Sequence, residues 1–244
     1  MNIAIIFAGG VGKRMGKNIP KQFILINEKP IIIYTLKLFE KNELIDKIYI
    51  STLEEYIPYV YDLIKKYNIK KVDKVIKGSD TALGSIYNGL VEASKYNDEN
   101  SIVLIHDGVR PIVNQEVITK NIENVKKYGS AITCTPAFET IILSEDGNKI
   151  DSVPLRKNSF TAQAPQSFIL KDIIEAHNEI RKTNSKYVDI VDCCTMMKTL
   201  GKGVHIVEGN RGNIKITTPE DVYNFKAYLD YNEAKQAFGI DQEI

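Results

Sequence analysis

Ile3-Ala4-Ile5-Ile6-Phe7, running into Ala8-Gly9-Gly10-Val11-Gly12-Lys13-Arg14-Met15, decides how the chain is read. An unbroken apolar run ended by glycines predicts a strand covered on both faces, as in a parallel sheet. The glycines then put bare backbone at the carboxyl edge of that sheet, where open α/β folds bind ligands. Without a Cβ, a glycine lets the chain come close to a phosphate and point N–H groups at it. Lys13, Arg14, Lys17 and Lys21 follow within one short stretch, a cation cluster suited to a nucleoside triphosphate tail.

Two familiar phosphate loops are excluded. A P-loop needs GxxxxGK followed by Ser or Thr. Here Phe7 stands at the first glycine and Arg14 at the hydroxyl. The dinucleotide fingerprint GxGxxG fails as well, because Gly10-Val11-Gly12 continues as Lys13-Arg14-Met15.

Working outward, similar apolar runs recur at Ile48-Tyr49-Ile50, Ile102-Val103-Leu104-Ile105 and Ala131-Ile132-Thr133-Cys134. Between them, residues 31–39, 57–67, 85–96 and 115–128 carry apolar side chains at helical spacing. Pro30 suits the first position of the first of these helices. The alternation predicts βαβ units and an open, mostly parallel sheet. After Thr135 the pattern changes. Residues 140–143 and 149–153 predict two strands around Glu145-Asp146-Gly147-Asn148, a hairpin within an excursion at about 136–162. Excursions of that length are usually functional or interfacial. A helix is expected over 168–181 and a last strand over 213–216. Thr218-Pro219-Glu220-Asp221 then reads as a helix start, with an N-cap, a proline at N1 and acids in the first turn. We read residues 1–244 as a single domain with this one excursion.

The 244 residues, 43% of them hydrophobic, can bury a sizeable core. With 32 basic against 31 acidic residues, net charge +1, nothing draws the whole chain to nucleic acid or to an anionic membrane. Any phosphate chemistry must therefore rest on local cations. Cys134, Cys193 and Cys194 have no CxxC spacing and fit small hydrophobes in a reducing, cytoplasmic setting. The N-terminal apolar run lacks the pattern of a secretory signal, and no stretch approaches membrane-spanning length.

Further constellations stand at other predicted strand ends. His106-Asp107-Gly108-Val109-Arg110-Pro111 follows the run 102–105. Asp107 there can bind Mg²⁺, which typically bridges phosphates with one or two protein carboxylates, or can orient a substrate. His106 alone reads as structural. In Gly209-Asn210-Arg211-Gly212-Asn213-Ile214-Lys215-Ile216, Lys215 points away from its apolar neighbours if the segment is a strand. A lysine so placed asks for an anion.

The stretch Ala8 to Met15, followed by Pro20-Lys21-Gln22-Phe23, resembles the signature of the polyol-phosphate cytidylyltransferase family. One branch acts on 2-C-methyl-D-erythritol 4-phosphate in isoprenoid synthesis. The other acts on D-ribitol 5-phosphate in cell-wall and capsule polymer synthesis. The resemblance runs from Ile3 to about Tyr228. It implies a Rossmann-like α/β fold of the nucleotide-diphospho-sugar transferase type, whose protruding β-arm exchanges contacts across a homodimer. The implied reaction is in-line attack by a phosphate oxygen of the polyol phosphate on the α-phosphorus of CTP, with pyrophosphate leaving and Mg²⁺ or another divalent cation on the triphosphate.

By resemblance, Arg14, Lys21 and Lys215 are the catalytic cations. Ala8, Gly9, Gly10, Gly12, Lys13, Gly78, Ser85 and Asp107 face the nucleotide, Ser85 contacting the cytosine base. Asp107, Arg110, Thr140, Arg156 and Asp192 face the polyol phosphate, with Thr140 and Arg156 reaching into the neighbouring subunit. The chain departs from the pattern at Ala82, where the family usually has Arg, and at Ala164, where its AQTPQ-type segment has Thr. Val109, Gly212 and Asp192-Cys193-Cys194 are more similar to the ribitol branch. Gly209-Asn210-Arg211 and Ala162-Gln163 lean towards the methylerythritol branch. The expected acceptor is ribitol 5-phosphate, with methylerythritol 4-phosphate as the alternative. A non-catalytic nucleotide-binding module is the reading from another class, and the retained Arg14, Lys21 and Lys215 argue against it.

Overall fold

The structure is a computed structural model that describes residues 1–10, 19–183 and 190–238. In chain order its main elements are β1 (Asn2–Ala8), a 3₁₀ turn (Lys21–Phe23), β2 (Leu25–Ile26), β3 (Lys29–Pro30), α1 (Ile31–Lys41) and β4 (Lys47–Thr52). These are followed by α2 (Ile57–Lys66), β5 (Val72–Lys77), α3 (Ala82–Ser94), β6 (Ile102–Asp107), α4 (Gln115–Tyr128) and β7 (Ser130–Pro136). The chain closes with β8 (Phe160–Ile169), α5 (Leu170–Thr183), α6 (Cys193–Thr199), β9 (Ile206–Glu208) and α7 (Pro219–Phe238).

One seven-stranded sheet has the order β5-β4-β1-β6-β8-β7-β9. The pairs β5–β4, β4–β1, β1–β6 and β7–β9 are parallel, and β8 runs antiparallel to both β6 and β7. The sheet is therefore mostly parallel and Rossmann-like. Its central strand shows why the opening run is apolar throughout. Ala4 and Ile6 join one buried cluster with Ile48, Ile50 and Leu104, whereas Ile3 and Ile5 join the other with Tyr49, Val103 and Ile105. Helices cover both faces, so neither alternate set of side chains can be polar.

Local signals set the helix ends. Gly129, at φ 78°, closes α4 with its N–H on the Val125 carbonyl. At the start of α7, the Asp221 carboxylate accepts from Thr217 N and Thr218 N at 2.8 Å each, and Asp221 N donates to Thr218 Oγ1. This is the reciprocal capping that Thr218-Pro219-Glu220-Asp221 announces.

Several expectations are corrected. Residues 213–216 form no strand; the place beside β7 is taken by β9, with Ile132 opposite Ile206. The excursion leaves the sheet after Pro136 and returns at Phe160, but its expected hairpin is reduced to one bridge, Leu143 with Ser152, around Gly147. Phe168 and Ile169 belong to β8 rather than to a helix. Phe168 lies opposite both Val103 and Ser130, and sheet pairing on two sides outweighs its helical spacing. Pro30 ends β3 as the N-cap of α1, not as its first residue. Strand β5, at the sheet edge, carries Asp73, Lys74 and Lys77 among its six residues and offers no long apolar run to read. No helix among the described residues is long and apolar enough to cross a membrane.

Candidate active site

Parallel pairing brings the carboxyl ends of β1, β4 and β6 side by side, with Ala8 opposite Thr52 and Phe7 opposite Asp107. Above this edge lie two adjoining clefts that share Phe7, Asp107 and Lys215. The first is bordered by Gly9, Gly10, Lys21, Ser85, Asp107 and Lys215. The second is bordered by Asp107, Arg110, Ala164, Gln166, Asp192 and Lys215. Asp107 and Lys215 stand on the seam between them.

The glycine turn is held from behind. Buried Gln22 donates its side-chain amide to the Ala8 carbonyl, which Thr52 Oγ1 also approaches at 3.4 Å. Gln22 belongs to the same 3₁₀ turn as Lys21, so one short element braces the glycine turn and carries a cation to the cleft. Ser85 closes the other side. Its hydroxyl accepts from Ser79 N at 2.9 Å and lies near the carbonyls of Ser79 and Thr81. A Cβ on Gly9 would stand 3.1 Å from that oxygen, and one on Gly78 2.9 Å from it. Glycine at both positions lets the two loops close on Ser85. Ala82 opens α3 at the rim of the first cleft, where the family's usual arginine would stand.

Asp107 is the electrostatic centre. It is 5% exposed, and its oxygens are divided between Lys215 Nζ at 2.6 Å and Arg110 Nε at 2.8 Å. Burial alone would push its carboxyl up, but Lys215 and then Arg110 outweigh it and hold the group at about 2. The anion that the Lys215 side chain asked for is thus in the protein itself. Lys215 reaches it from a loop rather than from a strand, with its ammonium 5.8 Å from the centre of the Phe7 ring. His106 is fully buried, edge-on to Phe39, with Nε2 3.1 Å from the Arg110 carbonyl. Burial pulls its pKa down to about 4, which fits a structural role.

In the second cleft Asp192 caps α6 by accepting from Thr195 N, and its other oxygen accepts from Gln166 Nε2 at 2.9 Å. The Gln166 carbonyl oxygen accepts in turn from Cys194 N. Cys134 and Cys193 are buried, and burial pushes both thiols up, as expected of small hydrophobes.

The structure therefore brings Ala8, Gly9, Gly10, Lys21, Ser85, Asp107, Arg110, Asp192 and Lys215 to one region, with Gly78 behind Ser85. Gly12, Lys13 and Arg14 lie outside the described residues. Thr140 and Arg156 are exposed on the excursion and border neither cleft. Gln22, Gln166 and Asn213 carry supporting roles that the sequence did not reveal. All three stand inside motifs legible in the sequence, but only tertiary contacts show what their amides hold. Among the described residues no cluster of three or more metal-type ligands occurs. Asp80 and Asp107 are the carboxylates of the first cleft, a donor set that suits a Mg²⁺ carried chiefly on phosphate oxygens.

Gly9 and Gly10 at the carboxyl edge of a mostly parallel sheet, with Lys21 and Lys215 beside them, form a Rossmann-like site suited to nucleotide phosphates. Comparison with known proteins narrows the class. Residues 2–231 match the family model described as 2-C-methyl-D-erythritol 4-phosphate cytidylyltransferase (IspD). A ribitol-5-phosphate cytidylyltransferase of Vibrio parahaemolyticus is 47% identical over 98% of this chain and 100% of its own. A 2-C-methyl-D-erythritol 4-phosphate cytidylyltransferase of Clostridium botulinum is 43% identical over 91% of this chain and 94% of its own. The crystal structure of the 4-diphosphocytidyl-2C-methyl-D-erythritol synthase of Anaerococcus prevotii superposes with a TM-score of 0.80 at 30% identity, covering 94% of this chain and 96% of that one. The chain belongs to the polyol-phosphate cytidylyltransferase family and is a CTP-dependent nucleotidyltransferase.

Proposed function

We propose that the enzyme transfers CMP from CTP to D-ribitol 5-phosphate, giving CDP-ribitol and pyrophosphate. The observation that carries this choice of acceptor is the 47% identity to a ribitol-5-phosphate cytidylyltransferase matched along its whole length. Val109 supports it: it is a buried packing residue against Ile112 and Ile216 at the rim of the first cleft, one of the positions similar to the ribitol branch. Gly212 is not required by space or backbone, since a Cβ there meets nothing closer than 3.6 Å. Its identity is therefore open to selection by function.

In this reading the triphosphate lies along the glycine turn in the first cleft, and the polyol phosphate enters the second. A phosphate oxygen of the acceptor attacks the α-phosphorus in line. The new P–O bond forms as the bond to the β-phosphate bridging oxygen breaks, and pyrophosphate carries away the electron pair. Arg14 and Lys21 stabilise the charge on the transition state and leaving group. Lys215 holds the α-phosphate, exchanging its Asp107 partner for the nucleotide. Asp107 and Asp192 accept from polyol hydroxyls, while Arg110 steadies Asp107. Thr140 and Arg156 reach the acceptor phosphate of the other protomer in a homodimer closed by the excursion. Asp107 or Asp80 would hold a Mg²⁺, which would supply charge neutralisation on the triphosphate. Positioning and electrostatics dominate, as in other phosphoryl transfers.

The test is pyrophosphate release from CTP with each acceptor in turn. kcat/KM should be at least about tenfold higher with ribitol 5-phosphate, the scale of discrimination expected from a few placed hydroxyl contacts. A preference for 2-C-methyl-D-erythritol 4-phosphate would overturn the choice of acceptor.

A further inference from the structure

The segment that delivers Lys215 has no ladder of its own. Residues 209–216 lie outside every strand, yet they carry the ammonium to within 2.6 Å of a buried carboxylate. At one end Gly209 N donates to the Cys134 carbonyl of β7, and at the other Ile216 N donates to the Val109 carbonyl. Between these anchors stands Asn213, wholly buried. Its side-chain amide donates to the Ala164 carbonyl of β8 at 2.6 Å. Its own carbonyl accepts from Arg110 Nη1 at 2.8 Å, and its N–H donates to the Asn210 carbonyl. A single residue thus ties the loop to the sheet and braces the guanidinium that shares Asp107 with Lys215.

We propose that Asn213 is the positioning residue for Lys215, fixing how far its ammonium reaches over the seam between the two clefts. The inference rests on the reading of Lys215 as a phosphate-holding side chain. The reasoning is one of reach. A lysine side chain has a fixed maximum length, so how far its ammonium reaches depends on where its Cα is pinned. One residue, Ile214, separates that Cα from Asn213. Removing the amide leaves the Ala164 carbonyl buried without its partner and releases the middle of the loop. Misplacement by about 1 Å is enough to cost on the order of 100-fold in a reaction governed by positioning.

The experiment is a double-mutant cycle read by single-turnover CMP transfer, with thermal unfolding as the folding control. Asn213→Ala should lower the transfer rate by about 100-fold in the otherwise native enzyme. In a Lys215→Ala background the same change should cost less than about threefold, because the reach it controls is already gone. Asn213→Gln, which keeps an amide that can donate to the Ala164 carbonyl, should recover part of the rate, and it carries the cycle if the alanine variant does not fold. An equal loss in both backgrounds, or no loss in the native one, overturns the inference. Full transfer by Lys215→Ala alone would instead overturn the role given to Lys215.

Discussion

Strand β1 is apolar at six of its seven positions and the excursion at 137–159 at eight of 23, and the fates of those apolar side chains are opposite. Ile3, Ala4, Ile5 and Ile6 are all fully buried. On the excursion Ile142, Leu143, Ile150, Val153 and Leu155 are each more than half exposed. The difference lies in the partners. Strand β1 has a parallel neighbour on each side and helices over both faces, so every side chain finds cover within the chain. The excursion has one β-bridge and no sheet beneath it. A concentration of exposed apolar side chains of this kind marks an interaction surface, in keeping with the homodimer proposed above. The apolar side chains of β1 are covered by their own chain, and those of the excursion are left exposed by it.

Three measurements can break or sharpen this contrast. The largest effect is expected in the parallel half. Lys21→Ala should lower turnover by at least about 100-fold, the scale of losing one fixed charge-stabilising group, while leaving the unfolding temperature near that of the parent. Near-normal turnover would remove Lys21 from the chemistry and weaken the claim that the parallel half carries it.

The second concerns buried histidines packed in that half. Burial lowers the pKa of His106 to about 4 and, with Arg181 adding to it, that of His177 to about 3. In the unfolded chain both titrate near 6.5. Below that value the unfolded state takes up protons that the folded state refuses, so stability is complete above about pH 7 and falls as pH drops towards 4. From pH 7 to pH 5 the loss is about 2 kcal/mol per histidine. Denaturant unfolding at the two pH values checks it. His177→Gln should roughly halve the pH dependence, and an unchanged slope would refute the assignment.

The smallest effect on stability belongs to the excursion. Leu155, 65% exposed, makes little internal packing. Leu155→Ser should change the unfolding free energy of the protomer by no more than about 0.5 kcal/mol. It should nevertheless shift sedimentation towards monomer and raise the KM for the acceptor. A loss of protomer stability well beyond that figure would mean that the excursion folds onto its own chain.

The site was partly legible beforehand for the same reason that β1 was. Glycines, lysines and an apolar run are close neighbours in sequence, and a strand-to-turn signal needs no distant partner. Asp107 and Lys215 were each visible as odd residues at segment ends, but nothing local joins positions 107 and 215. Their 2.6 Å contact exists because Ile216 hangs from Val109. Gln22 and Asn213 stayed silent because an amide looks the same whether it faces water or a buried carbonyl.

By itself the sequence determined the buried central strand, the glycine turn, the helices up to α4, the α7 start and the departure of the excursion. All of these follow from periodicity and capping within a few residues. Only the tertiary structure decided that residues 206–208, not 213–216, complete the sheet. It also decided that the excursion is not a formed hairpin and that Lys215 meets an internal carboxylate. The physical reason is shared: hydrogen-bond ladders and ion pairs are settled by whichever distant group arrives, and a β-segment carries no record of its partner.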